Sequence, residues 1–296
     1  MVSAQQEENL RNGRIWLGGL DNDRENDRNR ELRTEGTCRW ILDHECFKSW
    51  LGDPNVQILW IHGIPGIYPL YYFYSNADSR YTQGVGKSVM LSFLLGTLNR
   101  TLPPEDIAIL HFFFRNDDNK TTSLVAMAAT LTDQLIQKNQ AAECVELLHK
   151  ARLGSNVTQC TNFSVVWELF MTLIQYWKGK PLYILIDALD ECALYGPFLD
   201  KLTSTNWGKL RVQFILSSRA LEDIETPFKH MPVDTIRTIN MSEEASVDRD
   251  ITQFIEKQLI TTKFKKLQAF QAEIVSTLKG EFLFYLSAFV AMLNFK

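Results

Sequence analysis

The sequence contains a phosphate-binding loop pattern in two halves. The first half, Gly63-Ile64-Pro65-Gly66, follows a strand-like apolar run at residues 56–61. The second half, Gly84-Val85-Gly86-Lys87-Ser88, precedes an apolar run at residues 89–91. If Gly66 and Gly84 are merged into one glycine, the two halves read Gly-Ile-Pro-Gly-Val-Gly-Lys-Ser. This matches the pattern G-x-x-x-x-G-K-S/T between a strand and a helix. The pattern predicts an α/β fold in which this loop surrounds an anion at a helix N-terminus.

The segment between the two halves, residues 67–83, does not belong to the motif. It contains five tyrosines and shows neither helical nor strand periodicity. A phosphate nest needs a tight glycine-rich turn whose N–H groups converge on one anion, so an inserted segment is expected to open it. We hypothesise a retained intron or a gene-model error, because removing this segment with one glycine restores the motif in frame. The alternative is a genuine loop that bulges out at Gly66 and Gly84.

Strand-like and helix-like segments alternate along the chain. Strands are predicted at residues 56–62, 107–114, 182–186 and 212–216, and helices at residues 37–51, 88–98, 123–138, 144–151, 163–177, 246–259 and 267–278. This alternation predicts a parallel-sheet P-loop NTPase core of the α/β class with N-terminal and C-terminal helices. Thr37 is expected to cap the first predicted helix. We expect a polar linker or helix over residues 1–36, the core over 37–240, and a truncated helical segment over 241–296.

A second motif places acidic residues at the end of a buried strand. The apolar run at residues 182–186 ends in Asp187, and Asp190 and Glu191 follow. Parallel strands present their carboxyl ends at one edge of a sheet, so Asp187 is expected to hold Mg²⁺ beside the P-loop. Asp190 or, by preference, Glu191 is expected to orient or deprotonate the attacking water. The alternative is a buried strand followed by an ordinary acidic loop.

Three further residues are predicted to contact the phosphates or the metal ion. Lys87 is expected to reach the β- and γ-phosphates, and Ser88 to ligate Mg²⁺. Arg219 follows another apolar strand and is expected to sense the γ-phosphate, although a surface salt bridge fits its spacing nearly as well. His62 and His111 are predicted to be packing residues rather than ligands.

Composition and charge exclude several function classes. The net charge is -4 and the pI about 5.8, so the chain offers no basic field for nucleic acid or a membrane surface. Its five scattered cysteines form no C-x-x-C pair and fit reduced thiols in the cytoplasm. The polar N-terminus is unlike a secretory signal, and the apolar stretch at 282–293 is too short to span a bilayer.

Together these residues resemble the NACHT-type P-loop NTPases of fungi (STAND class), including the nephrocystin-like N-terminal domains. The matching stretches are Gly36-Thr37-Cys38-Arg39-Trp40-Ile41, residues 59–66, Gly86-Lys87-Ser88, residues 184–192 and Ser217-Ser218-Arg219. The resemblance implies a switch in a signal-transduction (NLR-like) protein that binds ATP or GTP with Mg²⁺ and hydrolyses it slowly. Members of the family place an effector domain before this module and repeats after it, and protein partners or self-association are implied accordingly.

Two other functions remain open at this point. An interrupted P-loop, a short N-terminal region and an end at Lys296 also fit a nucleotide-incompetent fragment or scaffold from a larger repeat-containing receptor. A small-molecule P-loop kinase is the third hypothesis. It predicts an acceptor pocket with a cluster of lid arginines, which the sequence does not reveal.

Overall fold

Five parallel strands form the centre of the molecule. The computed structural model describes residues 4–63 and 86–260, apart from residues 104, 106, 117–119, 156, 178 and 179. The strands are β1 (Ile58–His62), β2 (Ala108–Phe113), β3 (Leu182–Asp187), β4 (Val212–Ser218) and β5 (Ile236–Asn240). They lie in the order β2-β3-β4-β1-β5, and each neighbouring pair is parallel. The predicted α/β class with a parallel sheet is therefore confirmed.

Helices cover the sheet and extend before and after it. In the described ranges they are α1 (Ala4–Leu17), α2 (Asp23–Leu32), α3 (Glu45–Gly52), α4 (Lys87–Thr101), α5 (Leu124–Lys138), α6 (Ala142–Leu153), α7 (Phe163–Tyr176), α8 (Gly196–Ser204), α9 (Trp207–Leu210), α10 (Glu222–Lys229) and α11 (Ala245–Ile260). Within the described ranges the chain also forms a 3-10 turn at Arg39–Leu42, before α3, and another at Leu189–Glu191, after β3. The helix predicted at residues 267–278 lies outside the described residues.

Alternate residues of each strand enter two separate hydrophobic cores. Ile58 and Trp60 of β1 belong to the core that contains residues of α5 and α7. Leu59 and Ile61 belong to the core that contains residues of α3 and α4. A parallel sheet buried on both faces needs apolar side chains at successive positions, which explains the continuous apolar runs in the sequence.

The strand order determines where the loops converge. From β1 the chain runs through α4 to β2 at one edge of the sheet, while β5 lies on the other side of β1. The chain therefore leaves β1 towards one edge and later returns to occupy the position on its opposite side. In open parallel sheets, ligands bind beyond the carboxyl ends of the strands at such a reversal. A ligand site is therefore expected at the carboxyl ends of β1, β3 and β4.

The N-terminal helices α1 and α2 pack on the core. Trp16 and Leu17, at the end of α1, are each only 1% exposed and belong to the main hydrophobic core. Arg14 binds Asp133 of α5 through two nitrogen–oxygen contacts of 2.5 and 3.0 Å. Residues 4–32 are thus held to the same structural unit as the sheet.

Two amide side chains occupy the open edge of β2. Asn22 accepts the Phe113 backbone N–H at 2.6 Å and donates to the Phe113 carbonyl at 3.3 Å. Gln134 of α5 likewise accepts the His111 N–H at 2.9 Å and donates to the His111 carbonyl at 3.0 Å. The outward backbone groups of His111 and Phe113 are therefore satisfied as a neighbouring strand would satisfy them.

The single helix predicted over residues 37–51 is wrong. The chain forms the 3-10 turn Arg39–Leu42 after Cys38, whose φ is +68°, and only then enters α3. The Thr37 hydroxyl donates to the Thr34 carbonyl at 2.6 Å, so it does not cap a helix. His44 is the cap, because its Nδ1 accepts the Cys46 N–H at 3.1 Å. The left-handed residue interrupts the helical periodicity that the apolar residues suggested.

Candidate functional site

The site begins at the N-terminus of α4. Gly86 precedes this helix with a φ of +81°, a left-handed conformation that glycine adopts without strain, and its carbonyl accepts the Met90 N–H at 2.8 Å. Lys87 is the first helical residue, so it lies where a helix presents free N–H groups and partial positive charge. Gly63 is buried directly after β1. The predicted site residues Gly66 and Gly84 lie outside the described residues.

Asp187, the last residue of β3, faces the first turn of α4. Its side chain is 2% exposed and is hydrogen-bonded to the hydroxyls of Ser217 and Ser88. Burial raises the pKa of this carboxyl, whereas the two hydroxyls and the charge of Lys87 act in the opposite direction. The structure thus brings together the two residues that the sequence predicted as metal ligands, Ser88 and Asp187.

Lys87 lies among the acidic residues of the β3 loop. Burial lowers the pKa of its ammonium group, and the neighbouring charges of Asp190, Asp187 and Glu191 oppose this shift. The charge of Arg219 acts with burial and lowers the pKa further. All four predicted residues from the ends of β3 and β4 are therefore close enough to Lys87 to affect its ionisation.

Asp190 and Arg219 form a closely fitted pair. Oδ1 of Asp190 accepts the Arg219 backbone N–H at 2.8 Å, and Oδ2 accepts the Arg219 Nε–H at 2.6 Å. The Asp190 side chain is 6% exposed and that of Arg219 39% exposed. Asp190 is therefore occupied in holding the arginine, while the guanidinium extends toward solvent.

Glu191 is a carboxylate of the site whose pKa lies near neutral pH. Burial raises its pKa to about 7, and the negative charges of Asp187 and Asp190 add to the shift. Its Oε2 accepts the Asn116 backbone N–H at 2.9 Å, which favours the ionised form, as does the charge of Arg115. A carboxylate with a pKa near neutral pH is suited to accept a proton from water.

Ser217 contacts both Asp187 and the start of the turn that carries Asp190 and Glu191. Its Oγ donates to Asp187 and accepts the Ala188 N–H at 3.0 Å. Ala188 has a φ of +52°, an unusual conformation for a residue with a side chain, and starts the 3-10 turn that carries Asp190 and Glu191. Ser217 of β4 thus orients the acidic turn that follows the neighbouring strand β3.

The two histidines contact the protein interior. The His62 ring stacks on Trp60 with a centroid distance of 4.2 Å, and Trp60 Nε1 donates to Ser218 Oγ at 2.8 Å. Burial lowers the pKa of His62. Nε2 of His111 lies 3.1 Å from Oδ1 of Asp23. His62 therefore packs on Trp60, while His111 contacts the Asp23 carboxylate.

Sequence reasoning missed the contribution of the loop after β2. Asn116 acts through its backbone N–H, a group that every residue except proline carries, so no residue type in the sequence signals it. The apolar run at 107–114 does predict a neighbouring parallel strand. Its end could have been expected near Glu191 only if the order of the strands were known.

The sequence model described as "Nephrocystin 3, N-terminal" matches residues 36–67 and 80–219, which is more than half of the chain. The chain belongs to this family. The matched blocks of this nephrocystin-like, NACHT-type domain include Gly86, Lys87, Asp187 and Arg219. The unmatched residues 68–79 fall within the segment that interrupts the phosphate-loop motif. That the segment is a retained intron stays a hypothesis.

A curated relative comes from a fungus. The nephrocystin-like domain is similar to the "Vegetative incompatibility protein HET-E-1" of Podospora anserina, with 24% identity over 223 residues. The aligned region is 74% of this chain and 15% of that protein, so the chain corresponds to a small part of the relative's length. Among the residues that the structure describes, none of the helices combines the length and the apolar character needed to cross a membrane.

Proposed function

We propose that this nephrocystin-like domain binds Mg-ATP or Mg-GTP and serves as the nucleotide-dependent switch of an NLR-like signalling protein. The observation that carries the proposal is the convergence of Lys87 with Asp187, Asp190, Glu191 and Arg219 at the carboxyl edge of the sheet. A half-buried cation at a helix N-terminus, opposite a buried strand-end carboxylate, provides the two charges that a metal-bound triphosphate requires.

Each side chain has a distinct proposed role. Lys87 and the N–H groups at the start of α4 bind the β- and γ-phosphates. Arg219, held by Asp190, contacts the γ-phosphate and distinguishes a triphosphate from a diphosphate. Glu191 orients the attacking water and accepts its proton, which gives a slow hydrolysis that resets the switch.

The donor set fits Mg²⁺. Asp187 and Ser88 offer a carboxylate and a hydroxyl, which are hard oxygen ligands, and the two side chains already touch. Burial raises the pKa of Asp187. A cation bound beside this carboxylate would counteract that shift and favour its ionised form. When bound, the ion would neutralise charge on the β- and γ-phosphates. The described residues favour neither ATP nor GTP.

The signalling role is supported by the family and by the relative's name. HET-E-1 is called a vegetative incompatibility protein, and the alignment covers 15% of its length. We propose that the domain reports its nucleotide state to other parts of a signalling protein or to protein partners. The alternative is a nucleotide-incompetent scaffold, which the interrupted loop motif at residues 67–83 favours.

A binding titration separates these two functions. A fluorescent ATP analogue with Mg²⁺ is titrated into the full chain and into a form that lacks residues 67–84. We expect saturable binding by the shortened form only, and loss of that binding in its Lys87→Ala variant. Equal binding by both forms would identify 67–83 as a genuine loop. No binding by either form would refute the proposed function.

Transcript sequencing tests the origin of the segment separately. We expect most messages to lack the codons for residues 67–83. Messages that retain those codons throughout would contradict the intron hypothesis without affecting the proposed nucleotide site.

A further inference from the structure

The loop after β3 is attached at two places to the chain that follows β4. The first attachment is the double contact between Asp190 and Arg219. The second is a hydrogen bond from the Tyr195 hydroxyl to Oδ2 of Asp223, in the first turn of α10. Only residues 220–222 separate Arg219 from Asp223. The segment 219–223 is therefore bound at both of its ends by the same loop.

The backbone of Tyr195 is fixed by α8. Tyr195 directly precedes this helix, and its carbonyl accepts the N–H groups of Phe198 and Leu199, both at 3.0 Å. These bonds satisfy donors that the first turn of a helix otherwise leaves free. The Tyr195 ring is half-buried and packs against the main hydrophobic core. The hydroxyl therefore has a rigid base.

The position of Asp223 is fixed by α10. The Leu221 carbonyl accepts the N–H groups of Ile224 and Glu225 at 3.0 and 2.8 Å, at the start of this helix. Ile224 is fully buried in the same hydrophobic core that Tyr195 contacts. The helices α8 and α10 also pack against each other. Both partners of the hydrogen bond are therefore carried by elements with fixed positions.

The Tyr195 phenol is a donor at neutral pH. Burial and the hydrogen bond to Asp223 raise its pKa to about 12. The charge of Asp190 acts in the same direction and that of Arg219 in the opposite one. Asp223 lies in the first turn of α10, where the helix dipole favours a carboxylate. The proton therefore stays on the phenol, and the bond has a definite direction.

The two attachments have different effects on Arg219. Asp190 binds the backbone N–H and the Nε–H of the arginine itself, at the start of segment 219–223. Tyr195 binds the other end of the segment, through Asp223. Groups that act on a substrate must be held within about 0.5 Å of their working position by the residues behind them. An arginine bound only at the start of a short segment would lack support at its far end.

We propose that Tyr195, acting through Asp223, is a positioning residue that keeps the Arg219 guanidinium oriented toward the γ-phosphate. The inference rests on the proposed function, because that function assigns Arg219 to the γ-phosphate. Loss of the Tyr195 hydroxyl leaves every group that touches the nucleotide in the chain. It widens the range of positions that the guanidinium occupies, so triphosphates lose affinity and diphosphates do not.

Equilibrium titrations test this role in the full chain and in the form lacking residues 67–84. Tyr195→Phe keeps the ring and removes only the hydroxyl, and Tyr176→Phe is the control at a tyrosine that is 40% exposed on α7. We expect Tyr195→Phe to weaken binding of a non-hydrolysable ATP analogue about threefold to tenfold, with ADP affinity unchanged within about twofold. In an Arg219→Ala background, the same substitution should change neither affinity by more than about twofold. Equal losses for both nucleotides, or fully additive effects, would overturn the proposal.

The acceptor side offers a conservative variant. Asp223→Ala removes the acceptor, whereas Asp223→Asn keeps an oxygen that accepts the phenol. We expect the alanine variant to match Tyr195→Phe and the asparagine variant to retain triphosphate affinity within about twofold of wild type. Asp200→Ala is the control on an exposed position of α8. An asparagine variant as weak as the alanine variant would show that the charge of Asp223 matters and its hydrogen bond does not.

A measurement without nucleotide separates this inference from the proposed function. Exchange of the Arg219 Nε–H with water is followed by ¹⁵N NMR in the full chain, and Arg219→Lys assigns the resonance. We expect Tyr195→Phe to accelerate the exchange about threefold to tenfold and Tyr176→Phe to leave it unchanged. An unchanged rate in Tyr195→Phe would refute the positioning role, even if nucleotide binds. If no form binds nucleotide, the proposed function fails, and the exchange rate still decides whether Tyr195 orders Arg219.

Discussion

Asp190 holds Arg219 at two points, because one carboxylate oxygen accepts the arginine's backbone N–H at 2.8 Å and the other accepts its Nε–H at 2.6 Å. The pair joins the turn after β3 to the end of β4. A guanidinium bound at Nε retains the donors on its two terminal nitrogens, which suit a phosphate. Both oxygens of Asp190 are thus engaged by the arginine, which is why proton transfer is proposed for Glu191 instead.

Replacing Arg219 should affect triphosphates more than diphosphates. For Arg219→Ala we expect hydrolysis to slow by about 10-fold to 1,000-fold, with ADP affinity unchanged within about threefold, since ADP lacks the γ-phosphate that this residue is proposed to contact. Asp190→Asn should act in the same direction but more weakly, because the amide oxygen still accepts one N–H. Equilibrium titrations with ADP and a non-hydrolysable ATP analogue measure the difference. Equal losses of affinity for both nucleotides would contradict a γ-phosphate role.

Replacing Lys87 should abolish tight nucleotide binding and leave the fold intact. The residue is a half-buried cation at the start of α4, and a charge-assisted contact is worth about 1.5–3 kcal/mol, or roughly 10-fold to 100-fold in Kd. Lys48→Ala is the control, because that lysine is 59% exposed and pairs with Asp43 away from the site. Fluorescence titration gives the affinity and circular dichroism the fold. Binding of Lys87→Ala at wild-type affinity would exclude the assigned role.

Glu191 should impose a pH dependence on catalysis. Only its ionised form accepts a proton, so kcat/KM is expected to rise with pH through about 7, the pKa that burial gives this carboxyl in the nucleotide-free protein. Glu191→Gln should lower kcat about 100-fold or more and remove that limb of the profile, while nucleotide affinity is retained. A profile that keeps the same limb in the variant would show that another group titrates.

The same residue should change stability with pH in a definite direction. Its pKa is about 7 in the folded protein against 4.5 ordinarily, so the folded state binds the proton more tightly and stability falls as pH rises from about 4.5 to 7. Glu191→Gln removes this loss, so its melting temperature should exceed that of wild type at pH 8 and approach it near pH 4.5. Thermal melts across this range measure the effect. A constant difference between the two proteins would contradict the assigned shift.

Asn22 should be among the most important polar residues for stability. Asn22→Ala leaves both the N–H and the carbonyl of the buried Phe113 without the amide that binds them, at an expected cost of about 2–4 kcal/mol in the free energy of unfolding. Asn99→Ala, at an exposed position of α4, should cost less than about 0.5 kcal/mol. Urea denaturation followed by tryptophan fluorescence compares them. A similar small change in both variants would show that water satisfies the strand edge.

The fold was predictable where the sequence carries a strong apolar signal. All six residues of β3 are buried, so its run of apolar residues identified it directly. β5 was missed because only one of its five residues is buried and its sequence includes Arg237, Thr238 and Asn240. The burial of the end of α1 was also unexpected, because Trp16 and Leu17 are outnumbered by charged neighbours. Charge content describes the exposed face of a helix and does not report what its other face contacts.

The convergence of site residues was predictable in part. Lys87 begins the helix after β1, Asp187 ends β3, and Arg219 directly follows β4. A parallel sheet brings the ends of its strands to one edge, so these residues were expected to meet. The contacts that set their chemistry were not predictable, since Asp190 binds a backbone N–H of Arg219 and Glu191 binds one of Asn116. Backbone donors are the same at nearly every position, so only the folded path of the chain selects them.

The paired amides of Asn22 and Gln134 also limit how the molecule can assemble. An edge strand with free N–H and C=O groups recruits strands from other chains and is a common origin of aggregates and swapped dimers. In β2, the backbone groups of His111 and Phe113 are already hydrogen-bonded to side chains of the same molecule. Higher-order assemblies that extend the sheet past β2 by edge-to-edge pairing are therefore disfavoured, and a partner approaching this side meets side chains rather than open backbone.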